Sequence, residues 1–153
     1  MRIIDVIIHS SVHESTIAEI ISDTWEILLE KIVSKEKFLN EEALQIPKNV
    51  VALDYKVGEQ YIEVQLFDSY DVANGRILDL ALSIAKKSHS KTIIPDFTKT
   101  AEYIEVLQNG DIYCAYEDLS GSEDLLKLDI SSKKGPFRRE HFKNNITWNE
   151  IDF

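Results

Sequence analysis

Val50-Val51-Ala52-Leu53-Asp54-Tyr55-Lys56-Val57 and Tyr61-Ile62-Glu63-Val64-Gln65-Leu66-Phe67 flank the short glycine-containing link Gly58-Glu59-Gln60. Two β-rich runs on either side of such a link read as a β-hairpin. In the second run Ile62, Val64 and Leu66 fall on one face, and Tyr61, Glu63, Gln65 and Phe67 on the other. One face is therefore apolar and the other mixed, which asks for helices on the apolar side only.

The sequence on both sides supplies those helices. Upstream, Arg2 to Ser10 is a short isoleucine- and valine-rich run that reads as a buried strand. Ile17, Ile20, Ile21, Ile27, Leu28, Ile32 and Val33 then recur at spacings of three and four, which predicts one amphipathic helix over residues 14 to 39. Ser11-x-x-Glu14 and Thr16-x-x-Glu19 both have the form of a capping box at its start. Asn40 to Asn49 is a connection that Pro47 ends. Downstream, Asp68, Ser69 and Asp71 offer capping oxygens to a second helix, carried by Ile77, Leu78, Ala81, Leu82, Ile84 and Ala85. It ends in Lys86-Lys87-Ser88-His89, and basic residues there suit the helix dipole. A fourth strand follows over Lys91 to Phe97.

The order strand, helix, strand, strand, helix, strand is that of a ferredoxin-like βαββαβ core in an α+β protein. C-terminal antiparallel strands extend it. Glu102 to Leu107 and Asp111 to Glu117 are joined by Gln108-Asn109-Gly110, and Asn-Gly is a strong hairpin signal because both residues tolerate positive φ. Ser120-Gly121-Ser122 reads as a turn, and Leu125 to Ile130 as a further strand. Ser131 to Pro136 reads as a linker. The expected organisation is one α+β domain over 1–132, with a tail over 133–153 that docks through Phe137, Phe142, Ile146, Trp148 and Phe153.

At 153 residues, 44% hydrophobic and 29% charged, the chain has the length and composition of one ordinary domain. The lone Cys114 excludes a disulfide-stapled scaffold and agrees with a reducing compartment. No basic segment followed by an apolar run opens the chain, and no stretch approaches the length of a spanning helix, so a cytoplasmic protein is expected. Seventeen basic residues against 27 acidic give a net charge of −10, which repels nucleic acid and anionic membrane surfaces.

That charge is unevenly placed. Residues 102 to 132 carry eight carboxylates against one lysine, a net of −7, whereas 133 to 153 are net +2. Glu102, Glu105, Asp111, Glu117, Asp118, Glu123 and Asp124 gather on and around one hairpin, interleaved with Tyr103, Tyr113 and Tyr116. Clustered carboxylates steer a basic partner and tyrosines supply rigid contact area, so these ten residues are the expected partner-binding set. A solvated strand surface that keeps the protein soluble accounts for the same charges. Lys133, Lys134, Arg138, Arg139 and Lys143, with aromatics between them, resemble a nucleic-acid surface, but the acidic body outweighs them. A clamp of this basic tail across the acidic hairpin is the more economical account.

No residue pattern assigns a catalytic group, a metal ligand or a cofactor. His9-Ser10-Ser11-Val12-His13-Glu14 brings two imidazoles, two hydroxyls and a carboxylate to the end of strand one, yet capping explains Ser11 and Glu14, and a third metal ligand is missing. Cys114 would need a base from His89 or His141 to act as a nucleophile, and a mid-strand cysteine is usually a small buried hydrophobe. Asp54, Glu63 and Asp68 could pair for acid and base work, but exposed strand carboxylates are commoner. Asn74-Gly75 lacks phosphate-loop spacing.

In size, acidity and absence of catalytic motifs, the chain resembles the immunity proteins of bacterial contact-dependent inhibition and related polymorphic toxin systems. These share no fold or motif, so the resemblance carries no residue over. It implies a non-enzymatic protein that neutralises a cognate protein toxin, frequently a basic nuclease, by covering its active site. Two other readings stand beside it: an acidic secretion-chaperone or adaptor, working as a homodimer along its strands, and a small-molecule-binding ferredoxin-like domain using the His9 to Glu14 turn.

Overall fold

The computed structural model describes residues 2–42, 49–97, 101–120 and 126–142. Its elements are β1 (Arg2–Ile8), α1 (Glu14–Trp25), β2 (Ile32–Ser34), α2 (Lys35–Glu42), β3 (Val51–Val57), β4 (Ile62–Asp68), α3 (Asn74–Ser88), β5 (Thr92–Pro95), β6 (Tyr103–Val106), β7 (Ile112–Ala115) and β8 (Lys134–Phe137). All eight strands form one mixed sheet in the order β2-β3-β4-β1-β5-β6-β7-β8, in an α+β protein. The sheet order therefore differs from the four-strand arrangement expected. β2 lies parallel to β3 at one edge, and every other pairing is antiparallel.

The period of two decides the layers. Ile4, Val6 and Ile8 of β1, Leu53 of β3, and Ile62, Val64 and Leu66 of β4 share one buried face. α1 and α3 close it with Ile17, Ile20, Ile21, Trp25, Ile77, Leu78, Ala81 and Ile84, in a single apolar cluster. At about 1.5–3 kcal/mol for each fully buried large side chain, this cluster is the main stabilising element. Polar bonds fix how the helices sit: Trp25 Nε1 donates to Arg76 O at 2.9 Å, and Arg76 Nη2 donates to Thr24 O at 3.1 Å. Asp68, wholly buried at the end of β4, accepts from the Tyr70 and Val72 amides at 2.9 Å each and turns the chain toward α3.

Four expectations are corrected. The helix expected over 14 to 39 stops at Trp25: Glu26 takes the left-handed conformation at φ 55°, and residues 29–31 make a single tight turn. Ile32 and Val33 then pair with Val51 and Ala52, because the open edge of β3 offers β-branched residues a ladder they fit better than a helix. Neither capping box forms, since His13 occupies the N-cap without a side-chain hydrogen bond. The strand expected over Leu125 to Ile130 reduces, among the described residues, to one bridge between Glu117 and Leu128, followed by a tight turn at Ile130–Ser132. The linker expected over Ser131 to Pro136 instead contributes most of β8, which pairs with β7 and ends in the buried Phe137.

Gly135 makes that last pairing sterically workable. Its φ is +131°, and a Cβ there would come within 2.6 Å of Ile112 O. The described part of the 133–153 tail thus joins the sheet and seats Phe137 and Phe142 in the main core, whereas Lys143, Ile146, Trp148 and Phe153 lie outside the described residues.

Candidate functional site

The face of the sheet turned away from α1 and α3 is crossed by a later segment of the chain. On β5, β6 and β7 this face carries Ile93, Tyr103, Glu105, Tyr113 and Ala115. Residues 126–133 cross it, held by Asp118 N to Lys127 O and Asp129 N to Tyr116 O, both 2.8 Å. Leu126 and Leu128 pack there against Ile93 and Ala115.

The ten residues expected to bind a partner divide into three groups. Glu105 is turned inward with 3% of its side chain exposed: Lys133 Nζ lies 2.9 Å from Oε1 and Lys91 Nζ 3.7 Å from Oε2. Asp111 pairs with Arg138 at 3.3 Å, and Lys133 lies over the Tyr113 ring at 5.6 Å. Residues from the tail therefore neutralise the inner part of the hairpin. Of the others, Glu102 and Tyr116 are exposed, and Tyr103, Glu117 and Asp118 are half-buried. The Tyr103 hydroxyl is held above its ordinary pKa by burial first, then by the negative charges of Glu117, Glu102 and Asp5. The Asp118 carboxyl is pushed down by hydrogen bonds from the Ser120 hydroxyl and amide. Glu123 and Asp124 lie outside the described residues.

Leu119 and Ile130, which were not expected among the partner-binding residues, are also exposed. They are 87% and 82% exposed, and Tyr116 is 48% exposed. The only signal in the sequence is an isolated apolar residue inside each of two polar stretches, Glu-Asp-Leu-Ser and Asp-Ile-Ser-Ser.

Beside this surface a cleft of about 560 Å³ opens between the end of β1, the start of β5 and the 126–133 segment. His9, Lys91, Glu105 and Asp118 line it together with Lys127, Asp129 and Lys133 of the covering segment. Its volume falls within the usual range of small-molecule sites. His9 stacks on Tyr61 at 6.0 Å, and among the described residues its buried Nε2 has no hydrogen-bond partner. Burial first, and then Lys91, lower the His9 pKa, against the pull of Glu105, so the ring is neutral at physiological pH.

The His9 to Glu14 turn does not converge. His9 lines the cleft, whereas His13 caps α1 from an exposed position and Ser10 and Ser11 face a different depression beside Val57–Ile62. Cys114 is 1% exposed under the helices, and burial raises its thiol pKa far above the usual value. His141 is engaged by the Arg138 amide at 2.8 Å. Asp54 bonds Lys35 at 3.3 Å, while Asp68 is consumed by the turn before α3. No group of three or more metal-ligating side chains occurs among the described residues, and no described helix is long and apolar enough to cross a membrane. Comparison with known proteins finds no matching family model, no matching curated protein and no matching solved structure.

Proposed function

We propose that this protein acts as an immunity protein, binding a basic protein toxin through the outer acidic surface and covering the toxin's active site. The observation that carries this reading is the exposure of Tyr116 and Leu119, which flank Glu117 and Asp118 in the chain, and of Ile130 on the segment hydrogen-bonded to Tyr116. Apolar and aromatic anchors with a charged surround are how protein interfaces concentrate their binding energy. Acidic side chains around such anchors speed encounter with a cationic surface and disfavour acidic competitors. Glu105 and Asp111 support this surface from within, by holding Lys133 and Arg138 in internal pairs.

The scaffold we propose for it is a ferredoxin-like split βαβ core made of β1, α1, β3, β4, α3 and β5. The antiparallel neighbours β3-β4-β1-β5, with α1 and α3 on one face, support that assignment.

The test is capture of the tagged protein from its own cells at low salt, elution along a salt gradient, and kinetic analysis with the purified partner. A folded basic protein bound one to one is expected, whose toxic activity the complex abolishes. Glu102→Lys with Glu117→Lys should slow association about tenfold or more while leaving the fold intact. Association that is unchanged by this double reversal refutes the proposal.

A further inference from the structure

The chain contains two Asn-Gly pairs, and the structure holds them differently. Asn109-Gly110 forms the turn between β6 and β7, where Asn109 is exposed and Gly110 takes φ +91°. The Asp111 amide donates to Asn109 Oδ1 at 3.0 Å, which folds the carboxamide back alongside the Gly110 peptide, and Asn109 Nδ2 donates to Asp111 Oδ2 at 3.2 Å. Arg138 Nη1, from the residue after β8, donates to the Asn109 carbonyl oxygen at 2.7 Å and lies 3.3 Å from Asp111 Oδ1. Gly110 N donates to Leu107 O at 3.0 Å. Asn74-Gly75, by contrast, lies in the first turn of α3, with Gly75 buried and Asn74 Oδ1 accepting from Arg2 Nη2.

We propose that Asn109 is a site of spontaneous deamidation whose rate Arg138 sets. The Gly110 nitrogen loses its proton to water and attacks Cγ of Asn109; the N–Cγ bond forms, the Cγ–Nδ2 bond breaks, and Nδ2 leaves as ammonia with that proton restored from water. Water then opens the succinimide at either carbonyl, leaving aspartate or isoaspartate at position 109 with no change of oxidation state. The attacking nitrogen must first become an amide anion, whose charge is delocalised onto the Asn109 oxygen that the guanidinium already contacts. The oxyanion that forms next sits on Oδ1, where the Asp111 N–H already points. Gly110 has no Cβ to obstruct the approach. Its bond to Leu107 O has to open first, but in a trans peptide the oxygen and the hydrogen point to opposite sides, so opening it does not require Arg138 to leave. Asn74 lacks this arrangement: a helical backbone fixes it, and Arg2 holds its carboxamide oxygen. The product carries one more negative charge beside Asp111, on a hairpin already rich in carboxylates.

Incubation of the full chain at neutral pH in heavy-oxygen water, followed by peptide mass mapping, tests the proposal. Solvent oxygen should enter at Asn109, giving both aspartate and isoaspartate, and at Asn74 at least about tenfold more slowly. Arg138→Met should slow the reaction at Asn109 about fivefold; a buried oxyanion donor is worth about a hundredfold or more, but this side chain is 50% exposed and shared with Asp111. Loss of Arg138 also frees the turn, so if looseness alone governed the rate the same variant would react faster. Arg138→Lys keeps the charge and should keep most of the rate. Arg138→Gln makes the same test if Arg138→Met does not fold. Absence of oxygen uptake at Asn109, equal uptake at Asn74, or an unchanged or faster reaction in the folded neutral variant would each overturn the assignment.

Discussion

Replacing Lys133 by methionine should destabilise the protein far more than the same change at Lys91, although both lysines touch one carboxylate. Lys133 Nζ is 2.9 Å from Glu105 with its side chain 25% exposed, whereas Lys91 Nζ is 3.7 Å away and 42% exposed. Removing one partner of a buried pair costs about 3–5 kcal/mol, because the other charge is left without compensation. Lys133 is partly in water and Lys91 remains to offset some of the charge, so the loss at Lys133 falls to ~2–3 kcal/mol. At Lys91, longer and more exposed, the loss should stay under about 1 kcal/mol. Urea unfolding at neutral pH reads both as shifts in midpoint at constant slope. For a chain of this size, Lys133→Met should also lower Tm by roughly 4–12 °C. Adding Glu105→Leu to Lys133→Met removes the stranded carboxylate and should restore stability to within about 1 kcal/mol of the parent. A larger loss at Lys91 than at Lys133, or a double variant no more stable than Lys133→Met alone, would refute the reasoning.

Two further outcomes follow from the titrating groups. His9, with its pKa lowered by burial and by Lys91 against Glu105, takes up protons less readily in the folded chain than in the unfolded one. The unfolded state therefore binds more protons as pH falls, so this contribution to stability is complete above about pH 6.5 and is lost between there and the folded value. The parent should lose more urea stability than His9→Phe on moving from about pH 7.5 to about pH 5.5, and a His9 imidazole resonance titrating above about 6.5 would contradict this. Cys114, buried and with its thiol pKa raised by burial first and then by Asp96, should resist maleimide in the native protein and react once guanidinium unfolds it. Rapid stoichiometric labelling of the native protein would show that the strand carrying Cys114 opens easily.

Much of the architecture is legible in local patterns. The alternation from Ile62 to Leu66 marks the inner face of β4, and the spacing of Ile77, Leu78, Ala81 and Ile84 marks the buried side of α3. Asn109-Gly110 marks the β6–β7 turn, where Gly110 has φ +91°. The end of α1 is not legible, because the residue in the left-handed conformation is Glu26 rather than glycine and the apolar spacing runs on through Ile32. The candidate surfaces are legible only as charge. The sequence groups Glu102, Glu105, Asp111 and Glu117, but nothing local tells Glu105, buried against two lysines, from Glu102, which faces water.

By itself the amino-acid sequence determines the period of each strand and helix, the face each one buries and the excess of negative charge, because these depend on spacing and composition. Only the tertiary structure decides that Ile32 and Val33 leave a helical pattern for the edge of β3, and that the glycine and proline of a supposed linker complete the sheet at β8. It alone brings His9, Lys91, Glu105 and Lys133 to one cleft. These outcomes rest on contacts between residues far apart in the chain, where an open sheet edge or a buried carboxylate selects its partner by geometry and desolvation that no local pattern records.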